Sequence, residues 1–75
     1  MTPIMLRQLW SLIETTQANL LLALDDATLV QWLTKQFKQD RVLNRDELDS
    51  LNDYISMKAP LIRDLAQQRV VADRF

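Results

Sequence analysis

Glycine, cysteine and histidine are all missing from this chain of 75 residues. At its usual frequency near 7%, glycine should occur about five times in a chain of this length. Without it, no bare-backbone loop can cradle a phosphate, no dinucleotide fingerprint can form, and primed hairpin turns lose their preferred residue. Sheets are therefore disfavoured, and helices joined by short Asp- and Asn-containing turns are favoured. The lack of cysteine excludes a disulfide framework and thiolate chemistry. The lack of histidine removes imidazole-based zinc sites and His acid–base catalysis. Charge of one sign is missing too: 9 basic against 10 acidic residues leave a net charge of −1. No global field then draws the chain to nucleic acid or an anionic membrane. The apolar run Leu20-Leu21-Leu22-Ala23-Leu24 is far shorter than the roughly 20 residues a bilayer requires. Met1-Thr2-Pro3 lacks the basic start of a secretion signal, so a cytoplasmic location is the expectation.

Apolar residues make up 48% of the chain, which marks it as a folding sequence. Its length suits one domain, residues 1–75, near the lower limit of about 70–80 residues for a self-sufficient core. The clearest local signal lies at Asn44. Its side chain can accept from the amides of a first helical turn, while Glu47 reaches back to the Asn44 N–H, a capping box flanked by Leu43 and Leu48 as a hydrophobic staple. From there Leu48, Leu51, Ile55, Ala59, Ile62, Leu65 and Ala66 recur at three- and four-residue steps, the spacing of one helical face. Pro60 falls inside this helix, removes the bond to the Ser56 carbonyl and predicts a kink or a break.

Thr2 and Pro3 open the chain as N-cap and first helical residue. A first helix is expected from Pro3 to about Leu24, with Leu6, Leu9, Trp10, Ile13, Leu20, Leu21 and Leu24 on one side. Glu14-Thr15-Thr16-Gln17 could interrupt it, but the apolar phase is the same on both sides and favours one helix. Asp25 and Asp26 suit the start of a second helix, from about Ala27 to Lys38, with Leu29, Val30, Leu33 and Phe37 inward and Thr34 outward. The expected fold is all-α and three-helix bundle-like: a long helix, a short one and a long kinked one. At 1.5 Å per residue these span roughly 33, 18 and 40 Å, so the short helix cannot cover both long ones. The surplus leucines predict completion by homodimerisation.

Candidate sites are each met by a plainer structural role. Asp40, Leu43, Asn44, Glu47 and Leu48 resemble the second half of an EF-hand calcium loop. In that alignment Arg41 replaces the required glycine, and Gln36 and Lys38 take the first two ligand positions, where lysine repels the ion. No metal or cofactor is assigned. Asp46, Glu47, Asp49 and Asp53 cluster at a helix start, where the dipole favours carboxylates without any function. Trp32, Lys35, Lys38, Arg41 and Arg45 form a basic corner that could meet a phosphate backbone or an acidic surface. Lys58 and Arg69 project beside the apolar stripe, either snorkelling or registering a partner helix. With Trp10, Leu21, Ile62 and Leu65 they form the expected dimer or partner interface.

No serine has an activating base nearby, so an enzyme is the least supported class. The sequence points to a non-catalytic protein–protein interaction or assembly module, acting as a homodimer and meeting another protein. A nucleic-acid-associated or regulatory role for the basic corner is the alternative.

Overall fold

The computed structural model describes residues 2–39 and 41–72. All regular structure in them is helical: α1, Pro3–Thr15; α2, Ala18–Ala23; α3, Asp26–Lys38; and α4, Arg45–Ala72. The all-α expectation holds, with four helices in place of three.

The division of the first helix is the principal correction. Thr15 and Thr16 both turn their hydroxyls onto the Leu12 carbonyl, at 2.9 and 2.8 Å. Side chains of this kind compete with the helical ladder for backbone acceptors. Thr16 then adopts an extended conformation (φ −79°, ψ 141°), and Gln17 follows it (φ −61°, ψ 133°) before α2 begins. Apolar phase could not reveal this break, because Leu9, Ile13 and Leu21, on both sides of it, enter the same core.

Asp25 caps α3 as its sequence suggests, its Oδ1 accepting from the Thr28 N–H at 2.7 Å. At α4 the capping box forms in full. The Glu47 N–H donates to Asn44 Oδ1 at 2.8 Å, and the Asn44 N–H donates to Glu47 Oε1 at 3.1 Å. α4 runs on through Pro60 as one helix of 28 residues. Both Pro60 and Ser56 are exposed, so the interrupted part of the ladder lies on the solvent side of the helix.

At 1.5 Å per residue, 28 residues give about 42 Å, which matches the long extent of the 42 × 22 × 19 Å molecule. α4 is thus the spine, with α2 and α3 packed on it and α1 on α3. Leu51, Ile55, Ala59, Ile62 and Ala66 form its buried row, facing Leu9, Ile13, Leu21, Leu29, Leu33 and Phe37. The break after α1 separates α2, which packs on α4. Assignments of facing also change: Leu20, expected on the apolar side of the first helix, is 36% exposed. Thr34 is buried and donates to Asn52 Oδ1 at 2.6 Å, a polar link between α3 and α4. Leu65, grouped by spacing with the buried row and also assigned to the expected interface, is 39% exposed.

Candidate interaction surface

Geometry gives the acidic start of α4 a structural role. Glu47 is engaged in the capping box, and Asp46 with Glu47 occupies the first turn, where the positive end of the dipole favours them. Asp40, the first oxygen of the calcium-loop resemblance, lies outside the described residues. Among the described residues no group of three or more acidic side chains is placed to hold a metal ion.

The basic corner is looser than its sequence suggests. Arg41 turns inward. Its guanidinium lies 4.1 Å from the centroid of the Phe37 ring and donates to Gln8 Oε1 on α1. Its Nε is buried without a hydrogen-bond partner among the described residues. Lys35, Lys38 and Arg45 remain exposed, while Trp32 is half-buried against the core. Val42, within this corner, is 98% exposed.

The six residues expected at an interface divide. Leu21 and Ile62 are buried in the chain's own core, so in this fold they offer no surface to a partner. Trp10 is half-buried and donates from Nε1 to the Tyr54 hydroxyl at 2.8 Å, with the two rings edge to face. The Lys58 ammonium sits 5.9 Å from the centroid of the same Tyr54 ring. Arg69 reaches back to the Ile13 carbonyl at 3.4 Å, near the end of α1. Leu65 alone of the six is exposed.

A different set of α4 residues is presented to solvent. Met57 is 75% exposed and Leu61 44%, with Leu65 and Val71 continuing the apolar face. Beside Met57, the α1–α4 seam forms a shallow groove lined by Leu6, Ser50, Asp53, Tyr54 and Met57. Sequence spacing could have located this face, because Met57, Leu61 and Leu65 are themselves four apart. The stronger row through Ile55 and Ile62 masked it.

No family model, curated protein or solved structure matches this chain. The surface must be interpreted from its own chemistry.

That chemistry is one-sided. Beyond Arg45, the exposed first residue of α4, the exposed charged side chains of the helix are Asp46, Asp49, Asp53 and Asp64. The cations of this stretch are half-buried and turned to neighbours within the chain. Lys58 lies over Tyr54 and Arg69 reaches Ile13. Arg63 forms an ion pair with Asp26 at 2.8 Å and also donates to the Leu24 carbonyl. Arg63 thereby ties the α2–α3 turn to the spine, a role the sequence did not show. No described helix is long and apolar enough to cross a membrane.

Proposed function

We propose that this chain is a non-catalytic protein-binding module that meets its partner with the outer face of α4. The observation that carries this reading is the row Met57, Leu61 and Leu65, left in water although the chain buries eleven other apolar residues in its core. Single exposed apolar side chains are ordinary, whereas several on one helical face, beside a groove, are the usual form of a docking surface. Methionine suits such a face, since its flexible thioether adapts to different partners.

A homodimer was the sequence-based expectation. One feature favours a different protein: the four aspartates that would face their own copies across a paired α4. A nucleic-acid partner at the basic corner has less support, because Arg41 is engaged with Phe37 and Gln8.

A photoreactive side chain placed at Leu61, with another at exposed Gln31 on α3 as control, tests this reading in cells at native expression. A discrete adduct from position 61 and none from position 31 is the expected result. An unmodified chain at both positions would overturn it.

A further inference from the structure

Resting on the proposed docking role of α4, we infer that the occupant of this face is a basic amphipathic helix supplied by another protein. It would lie along α4 over the α1–α4 seam, with its apolar stripe on Tyr54, Met57, Leu61 and Leu65. Met57 and Leu65 lie roughly 12 Å apart along the axis, the span of two turns of a docked helix.

Charge decides the occupant. Asp46 stands in the first turn of α4, where the dipole accounts for it, and Asp49 has the cation Arg45 four residues before it. Asp53 and Asp64 do not share that explanation. Asp53 is beyond the first turn, and Asp64 lies in the second half of the helix, so the positive end of the dipole favours neither. Neither has a cation three or four residues away: Asp53 has Asp49, Ser50, Ser56 and Met57, and Asp64 has Pro60, Leu61, Gln67 and Gln68. Among the described residues neither takes part in an ion pair, since Arg63 is held by Asp26. The two exposed carboxylates therefore bracket Met57 and Leu61, and Asp53 stands on the lip of the groove itself.

A second copy paired through the same face of α4 would set these carboxylates against carboxylates, and an acidic partner would do the same. A neutral apolar helix would cover Leu61 and leave the aspartates without cations. A helix with lysine or arginine along the border of its apolar stripe meets both requirements. The aspartates then speed encounter and fix which helices are accepted, while the apolar row holds the complex.

The test titrates the full chain with three synthetic amphipathic helical peptides of roughly 18 residues. They share one leucine face and carry Lys, Gln or Glu on the polar face; anisotropy of a peptide label reports binding. The Lys peptide should bind at least tenfold more tightly than the Gln peptide, and the Glu peptide more weakly still. Added salt and the double substitution Asp53→Asn, Asp64→Asn should each remove most of the Lys preference. Leu61→Ser should weaken binding of every peptide; because Leu61 is surface-exposed, helical content measured by circular dichroism should stay unchanged. Equal binding of the Lys and Gln peptides, lost in Leu61→Ser, would overturn the charge inference and leave the docking face standing. Self-association abolished by Leu61→Ser, without peptide binding, would assign the face to a second copy. A monomer that binds none of the three would remove both readings.

Discussion

Trp10 and Tyr54 join α1 to the spine through a single hydrogen bond, from the indole Nε1 to the phenolic oxygen at 2.8 Å. The rings meet at 85° with centroids 6.5 Å apart, so their edge-to-face contact does not require the hydroxyl. Tyr54→Phe should keep the ring packing and lose the bond, at a cost of about 1 kcal/mol. Urea denaturation should show a lower midpoint at unchanged slope, with the Trp10 emission altered. An unchanged midpoint would mean that water replaces the hydroxyl without loss.

Arg63 has two acceptors, and they are unequal. Asp26 is 74% exposed, so its pairing with Arg63 is screened by solvent, and Asp26→Asn should cost less than about 1 kcal/mol. The Leu24 carbonyl is a part-buried acceptor at the end of α2. Arg63→Ala strips both contacts together with the packing of the side-chain stem, and should cost about 1–3 kcal/mol. Thermal melts at low and high salt separate the two, because only the Asp26 contribution should fade with salt.

Hydrogen bonding from Thr28, by its side chain first and its backbone N–H second, holds the Asp25 carboxyl below its ordinary value of 3.8; the nearby Arg63 charge acts in the same direction. A depressed carboxylate stabilises the fold above the unfolded value, and that contribution disappears as pH falls through the folded one. The stability difference between the native chain and Asp25→Ala should therefore be full at neutral pH and should shrink once acid protonates the cap. Helical content followed through an acid titration of both chains checks this. A gap that persists undiminished in strong acid would assign the effect of the substitution to packing.

Pro60 occupies the exposed side of a helix that continues through it. Alanine there restores the donor to the Ser56 carbonyl and removes the clash with it. Pro60→Ala should stabilise the chain, by on the order of 1–3 kcal/mol, part of the helical gain being offset by a freer unfolded state. A higher melting temperature is the expected reading. A lower one would show that α4 depends on a backbone geometry only proline imposes.

Local chemistry was legible wherever a signal involved neighbours in the chain. The Asn44–Glu47 box, the Asp25 cap, Thr2 before Pro3 and the buried row from Leu51 to Ala66 could all be stated from spacing, because their partners lie within four residues of one another. The break at Thr16 was visible only as a polar patch, and matching apolar phase on its two sides argued against it. Phase reports which face is buried, and it is blind to an interruption when both pieces face the same core. The exposed row was obscured for a related reason: Leu65 lies on the border between two faces, and spacing grouped it with the buried row.

The sequence by itself determined that the chain would be helical, where three of its helices begin, and that it has apolar residues beyond those one small core takes in. Tertiary structure decided how they are shared out. Contacts between residues as far apart as Arg63 and Asp26, or Trp10 and Tyr54, depend on how the helices turn back on α4. That packing buried Ile62 and Leu21, drew Lys58, Arg63 and Arg69 inward, and left Met57 and Leu61 outside among aspartates.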